Sequence, residues 1–135
     1  MERMLNILLI HENRSAILTV PQILADMNIA PVAMVLEEFH PEFLVSNSFD
    51  LMVFELFGEN RSCLAILKQL EQWTATSGTE VPPVMVVTED SLVEKDLRTA
   101  KVNFLFIKPV VKQELILAIQ QAKRMRVTGS LSVGP

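Results

Sequence analysis

The sequence predicts an α/β fold, a doubly wound five-stranded parallel sheet in order 2-1-3-4-5 with helices on both faces in three αβα layers. Two observations predict it. Short apolar runs bounded by polar or turn-forming residues alternate with longer segments of helical periodicity. The runs are also apolar almost throughout, as strands buried on both faces must be.

In chain order, the strand runs are 6–10, 31–35, 50–56, 84–88 and 103–107, the second carrying Val32, Met34 and Val35 on strand spacing. The first helix is expected within 15–27 on Ile17, Leu18, Ile23 and Leu24, with Pro21 kinking it or lying near its true start. The second falls in 37–46, a short stretch holding Pro41. The third, 62–73, sets Leu64, Ile66, Leu67 and Leu70 against Lys68, Gln69 and Gln72. The fourth, 91–100, is mostly charged, with Leu92, Val93 and Leu97 as a narrow stripe, and the fifth, 111–125, repeats the pattern with Leu115, Ile116, Ile119 and Ala122. Right-handed βαβ units of this number and length suggest a flavodoxin-like topology, with its crevice beyond the C-terminal strand ends. One domain is expected over 1–126, followed by a flexible tail or linker stub at 127–135.

Composition narrows the function. Half of the residues are apolar, enough to fill a core, and the net charge of −4 argues against a nucleic-acid-binding face. The cluster Lys123, Arg124 and Arg126 reads as a cationic last helical turn that complements the helix dipole. Cys63 is the single cysteine, so no intrachain disulfide forms, which suits a cytoplasmic protein. The apolar run at 5–10 is too short for a membrane span and is not followed by a signal-cleavage pattern. No membrane partner is expected.

The strand ends carry the chemistry. The first run leads into His11 and Glu12, the third ends at Glu55, the fourth ends at Thr88, and the fifth leads into Lys108 and Pro109. Two carboxylates, a hydroxyl and an ammonium would thus gather at one crevice. His40 in a polar turn is expected at the surface, and Trp73 and Cys63 are expected to cover or pack the core.

Over residues 4 to 125 this arrangement resembles the response-regulator receiver family of two-component signalling. Lys108-Pro109 looks like that family's Lys-Pro pair with a cis bond, and 50–56 looks like the strand ending in its phosphoacceptor aspartate. The segment 63–70 is similar to the helix that follows. The resemblance implies a phosphoacceptor-equivalent Glu55, phosphoryl-binding equivalents Thr88 and Lys108, an acidic-pair equivalent His11 and Glu12, switch equivalents Thr88 and Leu105, and a cis Pro109. The departures fall on the chemistry itself: Glu55 replaces the acceptor aspartate, His11 replaces one acid, and Glu89 replaces the small residue after Thr88. Gly58 and Glu59 replace Met-Pro, Cys63 replaces a glycine, and Leu105 replaces the switch aromatic.

Magnesium needs near-octahedral oxygen ligands, and phosphoryl transfer depends on positioning. The altered set therefore predicts a pseudo-receiver that acts by protein–protein interaction, with no enzymatic activity, cofactor or metal site; Glu12 and Glu55 are the metal candidates. The alternative is a conventional phosphoaccepting receiver using a divergent magnesium site. A flavin-binding relative would need a Ser/Thr/Gly-rich loop after the first strand, and 11–15 has no glycine. Glu55 is expected to form a standing ion pair with Lys108, reaching toward the phosphoryl position, or else to be a poor acceptor or a solvated carboxylate. Expected partners are a signalling kinase or an output domain. A homodimer could form through the face of helix 91–100, strand 103–107 and helix 111–125, where Asp96, Arg98 and Lys101 lie beside an apolar edge.

Overall fold

The computed structural model describes residues 5–12, 18–57, 62–89, 97, 100 and 102–132. Five strands form one parallel sheet: β1 (Ile7–His11), β2 (Val32–Val35), β3 (Leu51–Glu55), β4 (Val84–Thr88) and β5 (Phe104–Ile107). Their order is β2-β1-β3-β4-β5, as the sequence predicts. Every residue of β3 and β4 is buried, whereas β2 is exposed at Val32 and Ala33 and β5 is half-buried throughout.

Because successive strand side chains point to opposite faces, the apolar runs split into two cores. Leu8, Ile10, Met52, Phe54 and Val86 join one core with Leu44 of α2 (Phe43–Ser46) and Leu67 and Leu70 of α3 (Ser62–Ser77). Leu9, Val53 and Val87 join the other with Ile23 and Leu24 of α1 (Val20–Asp26) and Leu115 and Ile119 of α4 (Lys112–Ser132). The sheet is covered on both faces, and removing this surface from water is the main stabilising term.

Helix boundaries follow local chemistry. Pro21 sits in the first turn of α1, where its missing N–H costs nothing, in keeping with a helix that starts near it, at Val20. Residues 15–17 of the expected span lie outside the described residues. The helix ends with Asn28 in the left-handed region (φ 60°), and the Ile29 N–H bonds back to the Leu24 carbonyl at 2.8 Å, a Schellman closure. Pro41 splits the expected second helix into a 3-10 turn (Leu36–Glu38) and the four-residue α2. One turn beyond the expected end, α3 stops where Gly78 adopts φ 73° and its N–H reaches the Thr74 carbonyl.

Of the expected fourth helix, only Leu97, helical and buried, and Ala100, half-buried in a turn, are among the described residues. Asp96, Arg98 and Lys101 lie outside them. The backbone of α4 stays helical to Ser132, through residues composition assigns to a tail, since propagating an established helix is cheap. That corrects one expectation: the last turn of α4 holds no basic residue, and Lys123, Arg124 and Arg126 lie before it in the sequence.

Candidate functional site

Parallel pairing aligns the C-terminal strand ends. His11 is level with Glu55, Glu55 with Val87, and Thr88 with Ile107. Glu55 is the last residue of β3 and has no exposed surface. Its carboxylate meets three donors. The Thr19 N–H donates to Oε2 at 2.7 Å, the Val20 N–H donates to Oε1 at 2.9 Å, and Lys108 Nζ lies 2.8 Å from Oε2. A buried carboxylate needs such compensation, and charge-assisted bonds of this length supply it.

The expected Glu55–Lys108 contact is therefore present, and a solvated Glu55 is ruled out. The carboxylate has further partners that the sequence did not indicate. The extra methylene carries the carboxylate onto the first amides of α1 as well as to the lysine.

Lys108 is held from several sides. Its side chain is 13% exposed, and its ammonium lies 3.8 Å from the centroid of the Phe57 ring, a cation–π contact. Its backbone N–H donates to the carbonyl of Thr88 at 2.8 Å, and the Lys108–Pro109 bond is cis. Thr88 is buried at the end of β4, and Glu89, next in the chain, is exposed.

Glu12 is also buried, and its Oε1 accepts the Phe57 N–H at 3.3 Å. Half-buried His11 places Nδ1 3.0 Å from the Glu12 carbonyl oxygen, where a protonated Nδ1 donates. Cys63, at the start of α3, is fully buried; its burial, and secondarily the Glu12 charge, push the thiol up to about 12. It packs the core and is no nucleophile at neutral pH.

Leu105 packs against the α2–α3 core while Phe104 and Phe106 face the other. The strand alternation thus turns Leu105, expected from the sequence as the switch equivalent, to the face opposite the two phenylalanines. Trp73 covers the same core as Leu105, and His40 is exposed.

The donor set does not fit magnesium. Both oxygens of Glu55 are taken by two N–H groups and an ammonium, one oxygen of Glu12 by an N–H, and a nitrogen stands at His11. Among the described residues, no three His, Cys, Asp or Glu side chains are grouped to hold a metal ion. No helix of the described residues is long and apolar enough to cross a membrane.

Sequence reasoning missed Thr19, Val20 and Phe57. Pro21 held part of the signal for the first two, since a proline marks a helix start, where backbone N–H groups lack partners within the helix. Phe57 follows Glu55 by two residues and carried no comparable mark.

No protein-family model matches the chain, and neither does any curated protein sequence. Solved structures do. The signal receiver domain of an HD domain-containing protein from Pseudomonas fluorescens is 17% identical, with a TM-score of 0.67 over 98% of this chain and 97% of that one. A CheY-like response regulator receiver domain protein from Methanospirillum hungatei is 20% identical, with a TM-score of 0.66 over 93% and 98%. The chemotaxis protein CheY4 of Vibrio cholerae is 15% identical, with a TM-score of 0.63 over 87% and 98%. At these identities the likeness establishes the fold: this chain has the CheY-like receiver architecture.

Proposed function

We propose that this chain is a receiver-like signalling domain of the two-component type that acts by contacting a protein partner, without aspartyl phosphorylation and without turnover of its own. The observation that supports it most is the closure of Glu55. An acceptor must present a free carboxylate oxygen to phosphorus beside a metal ion. Here both oxygens are engaged, and the lysine that would meet a phosphoryl group meets Glu55 instead. A glutamate brings one negative charge where a phosphoryl group brings ~1.5 to 2, so the pair is a partial and permanent stand-in.

The partner is a signalling kinase or an output domain, and the half-buried edge strand β5 favours pairing of two copies on its side. Light scattering in low salt at high protein concentration tests that pairing, and a monomer throughout would end it.

Incubation with acetyl phosphate and magnesium, followed by intact mass, tests the main reading. No gain of a phosphoryl group is expected. Glu55→Asp alone should not restore one, because His11 still stands where an acid is needed. A stable phosphorylated wild-type species would overturn the reading and favour a divergent phosphoaccepting receiver.

A further inference from the structure

We propose that a groove between α2 and the loop entering β4 docks a basic segment of a partner protein bearing an aliphatic anchor. The proposal shares with the preceding reading only the premise that the chain works by protein contact. The groove encloses about 330 Å³ and is lined by Leu44, Val45, Phe49 and Pro82 with Asn47 and Glu80 among its polar residues. Its floor is preformed: Phe49 stacks on Phe43 with centroids 5.7 Å apart, and Asn47 Nδ2 donates to the Phe43 carbonyl at 3.0 Å. Val45, at the rim, is 67% exposed, the largest exposure among the bulky apolar side chains of the described residues. The cause is local. Three successive apolar residues of the one-turn α2 fan around its axis, so Leu44 turns inward, Phe43 is half-buried and Val45 points outward.

Charge selects the occupant. Between Arg14 and Arg61 the sequence has no lysine or arginine, and all of β2, the 3-10 turn and α2 fall inside that stretch. Glu37, Glu38 and Glu42 in it are exposed, and Glu80 on the opposite wall of the groove is exposed too. The neighbouring α3 adds one exposed cation, Lys68, and one exposed acid, Glu71. A slot lined in equal number by apolar and polar side chains, with Glu80 and no cation among them, fits a segment whose aliphatic side chain meets Leu44, Val45, Phe49 and Pro82 while a flanking Lys or Arg meets Glu80. Such complementarity steers encounter and rejects acidic segments.

The test uses the full chain and a capped, fluorescein-labelled peptide of two leucines flanked on each side by two lysines. Two companions replace the leucines by serines, or the lysines by glutamates. The dileucine basic peptide should bind and shift the backbone amides of Val45, Asn47, Ser48 and Thr79 in NMR spectra. The serine version should bind about tenfold more weakly for want of its anchor, and the acidic version should not bind. Glu80→Lys, at an exposed position whose fold is checked by circular dichroism, should weaken binding several-fold. Equal binding of the serine peptide would mean bulk charge attraction and would overturn the proposal, as would amide shifts elsewhere. Self-association that shifts the same amides without peptide would overturn it in favour of a second copy as occupant. A phosphorylated Glu55 would refute the preceding reading and leave these outcomes unchanged.

Discussion

Two lysine–carboxylate pairs, whose lysines lie four positions apart in the chain, have almost the same length. Lys108 approaches Glu55 to 2.8 Å, and Lys112 approaches Asp26 to 2.7 Å. In the first pair the side chains are 13% and 0% exposed, in the second 51% and 59%. Distance therefore says little about what each does. The exposed pair joins the start of α4 to the end of α1 directly but at the solvent surface, where attraction is screened and side-chain entropy offsets most of it. The buried pair has given up hydration on both sides, so each partner depends on the other and on the α1 amides and Phe57 ring around them.

The sharpest way to break this contrast is Lys108→Ala. It leaves a carboxylate buried with only two N–H donors and should cost about 3–5 kcal/mol in urea unfolding. Glu55→Gln should also destabilise, and the double change should cost less than the sum of the two, by ~0.5–3 kcal/mol. Strict additivity would mean that the pair is not coupled. The same cycle built on Lys112 and Asp26 should close within about 1 kcal/mol.

Glu55→Asp tests reach rather than charge. A side chain one methylene shorter cannot hold Lys108 and both α1 amides together, so a loss of about 1–3 kcal/mol is expected. Hydrogen exchange at Thr19 and Val20 should quicken in this variant more than exchange in β4. Equal protection of the two amides in both proteins would show that the α1 contacts are incidental.

A pH dependence comes from Cys63. The folded protein holds the thiol proton more tightly than the unfolded chain, so its contribution is fully present below 9.0 and is lost as pH rises toward about 12. Wild type minus Cys63→Ala should therefore show stability falling above 9.0 by up to ~1.4 kcal/mol per pH unit, measured by denaturation at a pH series. A flat difference curve would mean that the thiol is not buried in solution.

The smallest effect sharpens the comparison from its weak side. Lys112→Ala should change stability by about 1 kcal/mol or less, and that change should vanish in 1 M salt, whereas the cost of Lys108→Ala should persist.

The sheet was legible because its residues speak twice, once in apolar character and once in brevity. The runs around Leu8, Val53 and Val86 are too short for helices and too apolar for exposed strands, and parallel pairing follows from the helical segments between them. The second helix was not legible in detail. Its apolar residues suggest one helix, while Pro41 within it forbids continuity, and the proline prevails because a missing N–H outweighs propensity.

The sequence by itself determined which side chains stand at the strand ends. His11, Glu12, Glu55, Thr88 and Lys108 follow from where each apolar run stops, and opposite charge at two of those stops anticipates the Glu55–Lys108 contact. Only the tertiary structure decided where the Glu55 carboxylate turns. Its other partners are the backbone amides of Thr19 and Val20, a donor that nearly every residue carries, so side-chain identity leaves no trace of it. Placement of the Phe57 ring over Lys108 is likewise a consequence of how a loop after β3 lies against one after β5. Composition ranks the residues able to make such contacts, and packing selects the ones that do.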